Sequence, residues 1–308
     1  MASVEYSPTA GFSQLGKVFF FEASINSSTR STKHSVSGRG MRTHGATLKG
    51  KDQNSRFPKI YAMGSRDRRL RKMRVDGYKG IGFLHFIIAA YIRCVSLLPG
   101  INRFVAGRHI YARNNIEVVM VVKRSLAIDA TETSIKVVFE PTDTIFDVYR
   151  KMNAAIDEVK TDESGNNTEE VAEALCKAPR FLLRFALLII RILDYFGWLP
   201  QKLIDASPFH GSMIITDLGS LRIGPIYHHI YNFGTLPVFI AFGAKRHSYE
   251  LDRHGNMVDR KYVDCKFVMD ERTVDGHYYA QFLQAFRTIC QHPEIVEVPP
   301  TKVTEDVR

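Results

Sequence analysis

Between Ile81 and Leu98 the chain is almost continuously apolar, broken chiefly by His85, Arg93 and Ser96, and Pro99-Gly100 ends the run. Apolar side chains fall on every side of a 3.6-residue period, so this helix has to be covered all round. A bilayer is one such cover, but Arg93 lies deep in the run and argues against a span. The other cover is a protein core large enough to enclose a helix. A chain of 308 residues, 45% apolar and 11% aromatic, can build one.

The segments that follow suggest what encloses it. Asn102-Arg-Phe-Val leads to a hairpin-like turn at Ala106-Gly-Arg108 and on to Ile110-Tyr111. Ile116–Lys123 and Ser134–Phe139 are rich in β-branched residues and read as strands. Thr144–Val159 has helical spacing, with Ile145, Val148, Met152 and Ile156 on one face. Leu236–Gly243 and Lys261–Met269 read as further strands around a hairpin turn at Arg253–Asn256, and Gln281–Gln291 as a last helix. This order predicts one α/β domain over residues 78–298, a two-layer sandwich with helices covering a mixed, largely antiparallel sheet.

The net charge of +10 is unevenly placed. Residues 1–80 hold 16 Lys/Arg against 5 Asp/Glu, and residues 81–308 hold 26 against 27. Residues 1–77 therefore read as a basic leader, rich in Ser, Gly, Thr and Arg, that is unstructured or serves organelle import. Arg66–Arg74 lacks the interleaved aromatics of a nucleic-acid site, so no nucleic-acid partner is expected. Residues 56–79 read poorly as either helix or strand, and 299–308 as a tail. Cys94, Cys176, Cys265 and Cys290 form no C-x-x-C pair. Reduced thiols, a cytoplasmic setting and no metal site are the expectation.

Residues 179–200 are strongly apolar but carry Arg180, Arg184, Arg191 and Asp194. Charges at these depths argue against a spanning helix. Packing against the protein or a neighbouring subunit, walling a long acyl substrate, and peripheral membrane contact all remain open.

Two motifs carry a resemblance. Phe267-Val-Met-Asp-Glu-Arg-Thr-Val-Asp-Gly276 resembles the strand-to-helix H-x-x-x-D-G signature of the 2-oxoacid dehydrogenase acyltransferase catalytic domain and chloramphenicol acetyltransferase-like superfamily. Gly211-Ser-Met-Ile-Ile-Thr-Asp-Leu-Gly219 is similar to that family's G-T-F-T-I-S-N-L-G, and Pro99-Gly-Ile-Asn102 to its proline-x-leucine-asparagine turn. The family connection before the second motif is much shorter, which marks about 171–204 as a helical insertion. The resemblance implies a chloramphenicol acetyltransferase-like fold, a homotrimer with active sites between subunits, and coenzyme A or acyl-CoA as co-substrate. The acceptor would be a small hydroxyl or thiol compound. No lipoyl domain accompanies the catalytic part, so no covalent lipoyl group is expected in this chain.

The resemblance also implies residue roles. Thr216 stands where the family's serine supports the oxyanion. Asp275 and Gly276 would build the site, with Gly276 and Ser212 contacting coenzyme A. Glu271 occupies the position of the catalytic histidine. A carboxylate near ~4.3 is a poor base for a thiol near ~8.5 unless desolvation raises it. His228, His229, His277 and His210 are the histidines placed to substitute, though an isolated histidine is more often a packed or hydrogen-bonded residue than a base. Adjacent residues in extended chain point to opposite sides, so at most one of His228 and His229 faces a site. If none substitutes, the chain is a scaffold or partner-binding subunit that keeps the fold without the chemistry.

Overall fold

The computed structural model describes residues 53–56, 60–61, 64–107, 109–123, 132–161, 179–252 and 254–306. The expected leader before residue 53, the first part of the expected insertion at 171–178, and Cys176 within it lie outside these described residues.

In chain order the elements are β1 (Gln53–Arg56), β2 (Ile60–Tyr61), α1 (Gly64–Val75), α2 (Phe83–Leu97), a 3-10 turn (Pro99–Asn102), β3 (Phe104–Ala106), β4 (His109–Tyr111), β5 (Ile116–Lys123), β6 (Glu132–Phe139), α3 (Ile145–Thr161), α4 (Arg180–Phe196), α5 (Gln201–Ala206), β7 (Met213–Asp217), β8 (Val238–Leu251), β9 (Met257–Met269), α6 (Gly276–Gln291) and a closing 3-10 turn (Pro293–Val296). Seven strands form one sheet in the order β1-β9-β8-β7-β5-β6, with β2 also on β9, and β3 and β4 pair separately. β7 runs parallel to both β5 and β8, and the remaining pairs are antiparallel. The mixed, largely antiparallel sheet under helices is therefore the observed architecture.

Alternation along the central strands assigns each face its own cover. Val118, Met120, Met213, Ile215, Val238, Ile240, Phe242, Cys265 and Phe267 pack with α2, α3 and α6 in the main core. Val119, Ile214, Phe239, Ala241 and Val268 point the other way, against Leu218, Ile230 and Leu236 of the long β7–β8 connection. Helix α2 is enclosed on all sides, as its composition requires. Arg93 is buried with it and donates a hydrogen bond to the Val298 carbonyl, so the tail supplies the acceptor. Cys94, Cys265 and Cys290 are buried free thiols.

Three expectations are corrected. Residues 56–79 contain helix α1, which buries Leu70 and Met73 three residues apart behind a dense basic surface. Just before α1, β1 and β2 pair with β9, so an edge of the sheet precedes residue 78. Helix α6 begins at Gly276 rather than Gln281, because Asp275 caps it by accepting from the Tyr278 N–H at 2.8 Å.

Candidate active site

Thr216 and Asp217 end strand β7, and Thr216 points to the face opposite the helical layer because it follows Ile214 by two residues. Beyond them the chain turns tightly. Asp217 accepts from the Ser220 N–H at 3.1 Å, and Leu218 N–H donates to the Phe242 carbonyl at 2.9 Å. Burial pushes the Asp217 carboxyl above its ordinary range, opposed by the Ser220 and Gly219 N–H donors. The returning segment then crosses Gly243, where an added Cβ would lie 2.5 Å from Pro225 Cδ and 2.6 Å from its nitrogen. Only glycine allows that approach.

The same segment lays His228 against the sheet. Its ring stacks on Phe239 with centroids 4.4 Å apart and 19° between planes. Phe239 stands opposite Ile214, and Ala241 opposite Thr216. His228 and Thr216 thus occupy the same outer face, with Phe239 and Thr216 one diagonal apart, about 7–8 Å between backbones. Burial, assisted by neighbouring His229, holds the His228 imidazolium below its usual range, and Nε2 is buried with no hydrogen-bond partner among the described residues. Lys266, opposite Ala241, places its ammonium 4.3 Å from the Tyr227 ring centre on this face. His229 is exposed, so the alternation expected of this pair is seen.

The motif turn lies at the other end of the sheet. Asp270 is buried and holds Arg272 through Nε at 2.9 Å and Nη2 at 2.7 Å, while its N–H donates to the Pro237 carbonyl at 2.9 Å. Glu271 points into solvent from this fastened turn. Met213, Val238 and Met269 stand level across the strands; Thr216 is beyond that row and Glu271 before it. About five residues of strand, about 17 Å, separate their levels, so one chain does not bring them together. Asp275 serves as the α6 cap, Gly276 is exposed at the first position of that helix, and His277 is exposed with Nε2 2.9 Å from Gln281 Nε2. The Tyr278 hydroxyl accepts from the Gly100 N–H at 2.9 Å, which ties the Pro99–Asn102 turn to the motif helix.

Ser212 does not meet the expectation of coenzyme A contact. It is fully buried, and its hydroxyl accepts from Glu117 N–H at 2.9 Å and donates to the Asn115 carbonyl at 3.4 Å. Its role is to fasten β7 to β5.

A cavity of about 300 Å³, which the sequence did not reveal, opens where the insertion meets the body; it is lined by residues including Phe104, Arg113, Glu117, Asp194, His210 and Thr235. Arg113 donates to Thr235 Oγ1 at 2.8 Å and lies over the Phe104 ring, while Glu117 Oε2, 3.9 Å from both Arg113 and Lys136, has no hydrogen-bond partner. His210 is buried between Asp194 Oδ1 at 2.8 Å and Ser207 Oγ at 2.8 Å, and Asp194 Oδ2 accepts from the Gly234 N–H at 2.9 Å. The carboxylate can only accept, so Nε2 carries the proton between them. Both imidazole nitrogens are engaged, which makes His210 a fastener of α4 rather than a free base. These groups come from segments far apart in the chain, and their one sequence signal is Glu117 inside an otherwise apolar strand.

No protein-family model matches the chain, and no curated protein sequence matches it. Solved structures do. A probable dihydrolipoamide acetyltransferase from Listeria monocytogenes superposes with a TM-score of 0.60 at 12% identity, covering 95% of this chain and 96% of that one. The cubic core of a pyruvate dehydrogenase multienzyme complex gives 0.60 at 10% identity, over 96% and 94%. The dihydrolipoamide acetyltransferase of Azotobacter vinelandii, in whose catalytic mechanism a serine, a histidine and an asparagine have been investigated, gives 0.55 at 12% identity, over 96% and 94%. Identities this low speak to architecture, and on that ground the chain carries the acyltransferase-core fold of the 2-oxoacid dehydrogenase complexes, with Glu271 where the motif resemblance calls for histidine.

Proposed function

We propose that the chain is an acyltransferase that moves an acyl group between coenzyme A and a small hydroxyl or thiol acceptor, on the outer face of the sheet. The observation that carries this reading is the unpartnered Nε2 of His228, stacked on Phe239 on the face that Thr216 shares. A histidine kept neutral by burial is available as a base at neutral pH. Nε2 takes the proton of the acceptor as its oxygen or sulfur attacks the thioester carbon. The carbonyl oxygen gains the negative charge and receives a hydrogen bond from the Thr216 hydroxyl. Collapse of the tetrahedral intermediate expels the coenzyme A thiolate, which recovers the proton from Nε2. These two side chains take the parts that serine and histidine suggest for the Azotobacter vinelandii enzyme. Nε2 is buried, so substrate entry requires its surroundings to open.

Glu271 enters this site only from a second copy, and assembly as a homotrimer belongs to the proposal. A second reading, a non-catalytic scaffold or partner-binding subunit, is favoured by one observation: the motif position holds a solvent-exposed carboxylate. Titration with coenzyme A followed by acyl-CoA turnover separates the two. Saturable binding with turnover that Thr216→Ala lowers about 10²-fold supports the enzyme. Failure to bind coenzyme A under any oligomeric state supports the scaffold.

A further inference from the structure

Helix α4 presents its apolar side to solvent. Phe181, Phe185, Leu188, Ile192 and Tyr195 recur at three- and four-residue intervals along its outward face, and Leu182, Ile189 and Phe196 widen the stripe. Phe185 is 58% exposed, and Trp198, just past the helix, is 69% exposed. Phe196 and Trp198 stack with centroids 5.0 Å apart, and Tyr195 meets Phe196 edge-on at 5.2 Å. Ile110 and Tyr111, also exposed, lie on the hairpin whose turn at Gly107 approaches the Tyr195 carbonyl. The patch is continuous and aromatic at one end.

The helix cannot roll this face inward. Asp194, on the inner side, is held by His210 and the Gly234 N–H, and Gly197 ends the helix in a left-handed conformation. Among the described residues none covers it. The charges around the patch favour one cover. Arg184 and Arg191 are exposed and flank the stripe, and residues 179–206 carry four basic against two acidic side chains. Of the acids, Asp194 is turned inward and Asp205 accepts from Gln201 at 2.7 Å. An apolar stripe with aromatics at one end and arginines at its border matches the interface of an anionic bilayer. A two-fold pairing of this face with itself would bring the same arginines against these. Among the described residues no helix is long and apolar enough to cross a membrane.

We propose that α4 and the Trp198 aromatic cluster dock the protein on the surface of an anionic lipid membrane, with the helix lying in the interfacial plane. The chain has one tryptophan, and it lies in this patch, so its emission reports docking directly. The full-length protein is mixed with phosphatidylcholine vesicles with and without phosphatidylserine, and pelleting and Trp198 emission are followed together. Docking predicts a blue shift and binding about tenfold stronger to the phosphatidylserine vesicles. Phe185→Ser with Leu188→Ser abolishes both signals. Arg184→Ser with Arg191→Ser removes most of the preference for anionic vesicles. Tyr249→Ser with Leu251→Ser, equally exposed but on the β8–β9 hairpin, leaves binding unchanged.

Three outcomes would overturn the proposal. One is emission that vesicles leave unchanged. Another is equal loss of binding in the hairpin variant. The third is a vesicle-independent dimer or trimer that Phe185→Ser with Leu188→Ser dissociates, since the cover would then be a second copy. Circular dichroism of each variant verifies the fold, and every replaced side chain is exposed.

Discussion

Helices α2 and α4 are both apolar, yet one is enclosed and the other faces water. Phe86, Ile87, Ile88 and Ile92 of α2 are buried between the sheet, α3 and α6. On α4 the outward residues touch little, and the inner row of Ala186, Leu187, Ile190 and Leu193 is only half-buried. Apolar content thus does not decide burial; what decides it is the number of neighbouring elements the topology supplies. The enclosed helix is a structural device, and the unenclosed one is a surface with work to do.

The sharpest way to break that contrast is a matched pair of deletions. Phe86→Ala, at 1% exposure, should cost about 3–5 kcal/mol of unfolding free energy. Phe185→Ala should cost less than about 0.5 kcal/mol in the same denaturant titration. Comparable losses would mean that α4 belongs to the core after all.

A smaller but more specific effect is expected at the join. Asp194→Ala removes the partners of His210 and of the Gly234 N–H, both held in the interior. A loss of about 2–3 kcal/mol follows from leaving such donors unpaired. Hydrogen exchange should show the increase concentrated in α4 and the 207–235 segment. A uniform change would count against the fastener role.

The third effect depends on pH and belongs to α2. His85 accepts from the Gly82 N–H at 3.1 Å, and burial pushes its imidazolium down to about 4. Between pH 6.5 and 4 the unfolded chain therefore binds the proton and the folded chain does not. Stability is full above pH 6.5 and falls as the pH drops towards 4, by up to about 3 kcal/mol. His85→Gln should flatten that part of the profile, read from chemical denaturation at a series of pH values. Tyr149 is the ring that packs against it, 5.5 Å away.

Much of the fold was legible because periodicity is local. The strands at 116–123 and 261–269 and the buried run at 81–98 each announced themselves through spacing and β-branched or apolar content. Helix α1 escaped because two buried side chains, Leu70 and Met73, are its whole inner face, and arginines dominate its composition. The outer halves of β8 and β9 escaped because they project as a ribbon with alternating exposure and bury little. Site geometry was the least legible. That Thr216 and Glu271 lie at opposite ends of the sheet depends on β7 running parallel to β8, a pairing that no short motif encodes. His228 was visible only as half of a His-His pair. Its selection over His229 came from stacking on Phe239, eleven residues away on β8.

The central claim, that proton transfer belongs to His228 and not to the motif carboxylate, is tested most directly by the pH dependence of acyl-CoA turnover. Wild type, His228→Asn and Glu271→Ala are compared with one acyl-CoA and a thiol acceptor. The account predicts an acid limb in kcat/KM whose midpoint lies below the ordinary histidine value of about 6.5, because burial lowers His228. It predicts that His228→Asn loses about 10²–10⁴-fold and that limb with it, while Glu271→Ala keeps both the limb and its position. Turnover that survives His228→Asn with its acid limb intact, and disappears in Glu271→Ala, would contradict it.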